Sequence, residues 1–316
     1  MEPIDVETGI PVFHVLGQPY FLGDEVRFLT WLLHRRRQPR TIHVANVHTV
    51  VTALWNPALA RAQQHATLSL ADGRPLSLAG NLLGCWSAKQ LRGPDLMLSS
   101  ALAGRAKKTR HYFLGGAPGV AAAVVAKMKA LAPGLQVSGH ASPPFRTISD
   151  TELKSLVSRL RRTRTDICWL GLGAPKQEIL MERMASFGAP CAMVGVGAGF
   201  DYFSGRKTEA PRWMQVMALE WAYRLVQEPR RLFWRYLSTN GPFVALFALE
   251  YAGTYPRAKQ ASAVGSYFAL GSGAYVSDLR CPRKSRDCGR DTGAASSAWS
   301  HCMAERRATI GLAFFE

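Results

Sequence analysis

Residues 166–201, DICWLGLGAPKQEILMERMASFGAPCAMVGVGAGFD, read as strand, glycine turn, helix and strand. Asp166–Leu172 is a short apolar run, Pro175–Phe187 a run of helix formers with proline in its first turn, and Pro190–Val196 a second apolar run ending in glycines. Such runs lack the strict alternation of a half-exposed strand, so they suit a parallel sheet covered on both faces.

The same grammar extends toward the N-terminus. Thr41–Val47, Thr67–Ala71, His111–Leu114 and Leu135–Gly139 read as strands. Between them His48–Trp55, Gly119–Leu131 and Ser149–Arg162 read as helices, with Asn56-Pro57 and Pro133-Gly134 as breaks. The last of these helices has a capping Ser or Asp, an acidic first turn and a basic last turn, which suits its dipole. The prediction is an α/β, Rossmann-like, doubly wound parallel sheet within a domain spanning 1–209. Ligands in such sheets bind outside the carboxyl ends of the strands.

From 210 the character changes. Residues 210–237 mix aromatic and aliphatic residues with Arg212, Arg224, Arg230, Arg231 and Arg235 and read as helix broken near Pro229. A separate short helix is expected at Gly241–Tyr251. Residues 210–256 therefore form a basic helical C-terminal appendage, and 257–316 read as a weakly periodic, poorly ordered tail.

The 316 residues carry a formal charge of +17, which points to an anionic partner: nucleic acid, a phospholipid surface or a phosphate-bearing substrate. No run of 18 apolar residues occurs, and the polar, acidic N-terminus predicts no secretory leader. None of the six cysteines forms a C-x-x-C pair, and Cys168 and Cys191 read as core thiols.

Candidate chemistry sits at the strand ends. Asp72, in Ala71-Asp72-Gly73, could act as general base or only cap a turn. Gly173, Lys176 and Gln177 belong to a glycine-rich strand end entering a helix, where free N–H groups and a cation could hold a diphosphate and the amide could meet a sugar or uracil. An ordinary βα turn is the competing reading. Gly197 lies among alternating glycines; Asp201 beyond it is a second acid or an N-cap. Asn46 ends a strand, and Arg92 is a candidate phosphate partner. With no metal-ligand spacing among the histidines and no DxD pair, no catalytic metal and no cofactor are expected.

Taken in order, ADG at 71–73, RGPDL at 92–96, YFLGGAPGVA at 112–121, LGLGAPKQE at 170–178, VGVGAGFDYFSG at 194–205 and the 210–237 segment resemble the WecG/TagA/CpsF family of glycosyltransferases. The resemblance implies an inverting, metal-independent enzyme of cell-surface polysaccharide synthesis. It implies a UDP-sugar donor and an acceptor sugar on polyprenyl diphosphate. Asp72 is implied as general base, with Asn46 and Gln177 lining the pocket. The basic segment is implied to dock on the anionic inner face of the cytoplasmic membrane and to bring one or more of Arg224, Arg230, Arg231 and Arg235 to the diphosphate. Val44 stands where some members have Thr, and His140–Phe145 replaces a common Gly-Tyr pair. A nicotinamide or flavin oxidoreductase would need a G-x-G-x-x-G fingerprint that is absent. A nucleic-acid-binding module would leave the glycine loops without a purpose, so no nucleic-acid partner is expected. Self-association stays open.

Overall fold

The computed structural model describes residues 4–5, 10–34, 38–217 and 219–253. The expected tail at 257–316 lies outside them, as does the side chain of Arg231. Strands β1 (Ile4–Asp5), β2 (Ile10–Val15) and β3 (Gln18–Phe21) form a small antiparallel sheet that the sequence reading did not anticipate. Helix α1 (Glu25–Leu32) follows, capped by the Asp24 side chain.

The main sheet then begins. Its elements are β4 (Arg40–Ala45), α2 (Val47–Trp55), α3 (Pro57–Gln64), β5 (Leu68–Ala71), α4 (Arg74–Leu82), α5 (Gly93–Ala103), β6 (Arg110–Gly115), α6 (Val120–Leu131), β7 (Gln136–Ala141), α7 (Asp150–Arg162), β8 (Ile167–Gly171), α8 (Lys176–Ser186) and β9 (Ala192–Gly195). The six strands are all parallel, in the order β5-β4-β9-β8-β6-β7. The α/β class and the parallel sheet are as expected.

Both faces are covered, which explains the unbroken apolar runs. Phe113, Trp169 and Val194 point to one face, against Phe28, Leu96 and Val124. Tyr112, Cys168, Leu170 and Met193 point to the other, against Leu153, Leu160, Met181 and Met184. Cys168 and Cys191 are buried free thiols, as read.

The chain leaves β6 for β7 on one side and leaves β8 for β9 on the other. The crevice outside β6 and β8 is therefore the topological switch point of the sheet.

After β9 come α9 (Gly199–Phe203), α10 (Arg212–Val216), α11 (Glu220–Gln227) and α12 (Pro229–Tyr251). The helix break at Pro229 is where the sequence placed it, and a further break falls between α10 and α11. The expected separate helix at 241–251 is instead the second half of α12, which runs through Gly241 and Pro242. Phe243 is buried in the cluster that holds Val50 and Val51 of α2, and that packing carries the helix across the hydrogen bond Pro242 cannot make. No helix among the described residues is long and apolar enough to span a membrane.

Candidate functional site

Two concave regions occupy the carboxyl edge of the sheet. The first is a pocket of about 320 Å³ where β4 and β5 end, closed from outside by α11 and α12. Asp72 follows β5, and its backbone N–H donates to the Ala45 carbonyl at 2.7 Å, extending the β4–β5 ladder by one bond. Gly73 has φ +95°, a left-handed conformation that a side chain would strain. This turn sends the chain into α4 and leaves Asp72 at the pocket.

Asp72 is half-buried, and no hydrogen bond reaches its carboxylate among the described residues. Its pKa is pushed up to about 7, first by desolvation and next by the Glu220 carboxylate; Arg224 and Arg92 act in the opposite direction. A carboxylate tuned near neutrality can accept a proton from a substrate hydroxyl.

Asn46 also lines this pocket and is the N-cap of α2. Its side-chain oxygen accepts from the Thr49 N–H at 3.3 Å, while its own N–H donates to Thr49 Oγ1 at 2.9 Å. The amide nitrogen makes no hydrogen bond among the described residues. Arg224 and Arg235 line the opposite wall. The Arg224 guanidinium is partly buried and has no hydrogen bond or ion pair among the described residues. The Arg235 guanidinium lies 5.5 Å from the centre of the Tyr236 ring. Arg230 is exposed and does not line the pocket.

Arg92 has a different place from the one expected. Its side chain is only 13% exposed and contacts Glu220 at 2.9 Å, Asp95 at 3.2 Å and Glu209 at 3.4 Å. It also donates to Gln215 Oε1 at 3.0 Å. Rather than waiting for a phosphate, it ties the chain after β9 to the pocket wall.

The second region is a crevice of about 820 Å³ at the switch point, lined by Gly116, Gly171, Lys176, Arg183, Asp201 and Arg206 among others. Lys176, the first residue of α8, and Arg206 are exposed and without ion-pair partners among the described residues. Asp201 lies in the first turn of α9, whose N-cap is Ala198, and pairs with Lys207 at 2.8 Å. It is thus neither the N-cap nor an unpaired acid.

Gln177 is buried and turned inward. Its side-chain oxygen accepts from the N–H groups of Gly173 at 3.2 Å and Gly197 at 3.1 Å. Its amide donates to Glu178 Oε1 at 2.9 Å. It thus clasps the loops after β8 and β9. Gly173 and Gly197 have φ +74° and +48°, the freedom those turns require.

The reading from sequence missed Glu220, Trp221, Tyr236 and His48 as pocket residues. The helical spacing of Glu220 and Arg224 was a usable signal; the other three needed the fold. Among the described residues no three His, Cys, Asp or Glu side chains are grouped to hold a metal ion.

A carboxylate near neutrality thus stands opposite a guanidinium without an ion-pair partner among the described residues, beside a cationic crevice at the switch point of a doubly wound sheet. The family model described as "Glycosyl transferase WecG/TagA/CpsF family" matches residues 13–257, and the chain belongs to that family. It is a glycosyltransferase. It is similar to the N-acetylglucosaminyldiphosphoundecaprenol N-acetyl-beta-D-mannosaminyltransferase of Bacillus spizizenii, with 27% identity over 216 residues, covering 68% of this chain and 81% of that protein.

Proposed function

We propose that this glycosyltransferase moves a hexose or N-acetylhexosamine from a UDP-sugar to a sugar on polyprenyl diphosphate, with inversion and without a metal ion, in cell-surface polysaccharide synthesis. The observation that carries the reading is Asp72, its pKa raised to about 7, facing the same pocket as Arg224. The Bacillus relative is named for an acceptor of this class.

In this reading the crevice at β6 and β8 holds the UDP. Its diphosphate meets the N-terminal N–H groups of α8, Lys176 and Arg206. β4 lies two strand spacings from β8, roughly 10 Å, a span that a nucleotide sugar bridges. Asp72 takes the proton of the acceptor hydroxyl. That oxygen attacks the anomeric carbon from the face opposite UDP, the bond from carbon to the diphosphate oxygen breaks, and UDP leaves with the bonding pair. Arg224 meets the acceptor diphosphate. Trp213, Trp221, Phe233 and Trp234 are all about half exposed or more and stand on helices beside the pocket. They and the neighbouring arginines would rest on the anionic inner face of the membrane, where the acceptor is anchored.

The test is UDP release from a panel of UDP-sugars, with a soluble polyprenyl-diphosphate-sugar analogue and EDTA present, and the product anomer read by NMR. Acceptor-dependent, EDTA-resistant release with inverted configuration is expected. Asp72→Asn should lower it about 10²–10⁴-fold. Turnover untouched by Asp72→Asn would remove the base, and turnover abolished by EDTA would remove metal independence. No turnover together with salt-sensitive binding of any DNA would favour a nucleic-acid protein instead.

A further inference from the structure

The amino edge of the main sheet, opposite the transfer site, carries a cavity of about 710 Å³. Four arginines line it: Arg40 at the start of β4, Arg110 at the start of β6, and Arg161 and Arg164 at the end of α7. Asp166 is the one acid among the described lining residues. Leu32, Leu33 and Ile167 behind it are almost fully covered, and Pro190 is a partly exposed apolar residue of its wall.

The arginines differ in their engagement. Arg40, 5% exposed, donates to the carbonyls of Trp31 at 3.3 Å and Leu32 at 3.2 Å, and its guanidinium lies 5.0 Å from the centre of the Trp31 ring. Arg161 donates to the Gly188 carbonyl at 3.0 Å. Arg110 and Arg164 are exposed, and their guanidinia make no hydrogen bond or ion pair among the described residues.

Backbone geometry adds an independent observation. Three turns of one hydrogen-bond type approach this edge, two ending α7 and α8 and one in the chain after α5. Thr165 N–H returns to Leu160 O at 3.0 Å, Thr109 to Gly104 O at 3.0 Å and Ala189 to Met184 O at 3.0 Å. Each such turn puts one residue in the left-handed region, a place that favours glycine. The third uses Gly188, with φ +71°. The other two use Arg164 and Lys108, both with φ +50°. Cations thus occupy positions where a side chain is disfavoured, and both occur on the basic edge.

The geometry points to a second ligand site, for a nucleotide carrying two or more phosphates, at the amino edge of the sheet. Pro190 offers an apolar surface to the base, and Arg110, Arg161 and Arg164 receive the phosphates, for which guanidinium forks are well shaped. The volume falls within the roughly 300–1,000 Å³ of small-ligand pockets. This site is separate from the donor crevice and does not depend on the reaction proposed there.

The experiment is calorimetric titration with ADP of the full chain carrying Lys176→Ala/Arg206→Ala, in which the cations of the carboxyl-edge crevice are removed and the amino edge is left free. One saturable site is expected, and inorganic diphosphate should compete for it. Adding Arg110→Ala/Arg164→Gly should weaken ADP about ten-fold or more. Arg164→Gly alone suits its φ, so it should hold or raise Tm, leave UDP-sugar turnover unchanged and still weaken ADP. Absence of saturable ADP binding would overturn the site, as would ADP affinity equal with and without Arg110→Ala/Arg164→Gly. A fall in Tm with unchanged affinity would reduce Arg164 to a charge at the end of α7 and overturn it too. Binding of anionic vesicles or RNA through these arginines, without ADP binding, would assign the surface to a macromolecule and overturn it equally.

Discussion

The β4–β5 pocket and the β6–β8 crevice share one edge of one sheet, yet they use charge in opposite ways. In the pocket, closed by α11 and α12, burial pushes a half-buried carboxyl up to about 7, and Arg224 faces it without an ion-pair partner among the described residues. In the crevice, Lys176 and Arg206 are exposed and Asp201 is neutralised by Lys207. Desolvation tunes a group for chemistry, whereas exposed cations serve attraction. In the proposed reaction the pocket therefore serves proton transfer and the crevice holds an anion.

The sharpest break in this comparison comes from pH. Asp72 must be ionised to act as base, so kcat/KM should rise about ten-fold per unit below pH 7 and flatten above it. The sign for stability is the reverse. A carboxyl whose folded pKa lies above its unfolded value favours the protonated fold, so its ionisation costs stability as pH rises from about 4 to 7. Asp72→Asn should therefore lose nearly all activity and yet raise Tm at pH 8. A pH-independent rate, or a fall in Tm, would show that the carboxylate is neither desolvated nor the base.

Arg92 and Arg224, two of the five arginines that the sequence offered as phosphate partners, separate next. Arg224→Ala removes an unpaired cation and should cut turnover about 10²-fold with little change in Tm. Arg92→Ala leaves Glu220, Asp95 and Glu209 without their common partner. It should cost about 2–4 kcal/mol in denaturant unfolding, with activity falling because the chain after β9 is released. Equal effects of the two variants would erase the distinction.

The contrast also explains what the sequence could disclose. The strands of the main sheet were legible because burial on both faces leaves continuous apolar runs such as ICWLG. The β2–β3 hairpin was hidden because its turn, Leu16-Gly17, puts a leucine at φ +50° where Asn or Asp would signal the turn, and Pro11 and Pro19 interrupt the strands. The place of Asp72 at a strand end was legible from the glycine after it, but a turn residue was the competing reading there, and the role of base came only from the resemblance to the family. The duty of Arg92 was not legible, because Glu209, Gln215 and Glu220 lie more than a hundred residues further along the chain. Gln177 offered a similar trap. A polar residue behind a glycine loop suggests a ligand contact, but its oxygen is taken by two backbone N–H groups.

The smallest effect belongs to the crevice. Lys176 is exposed and stands at the start of α8, so its attraction to a diphosphate is shared with backbone N–H groups and screened by solvent. Lys176→Ala should raise KM for the UDP-sugar about three- to ten-fold with kcat nearly unchanged, and the difference should shrink as salt is raised. That pattern is uniform binding lost, with no transition-state contact removed. A drop in kcat at unchanged KM would instead place Lys176 on the leaving group as charge develops, and the division between a binding crevice and a catalytic pocket would have to move toward β8.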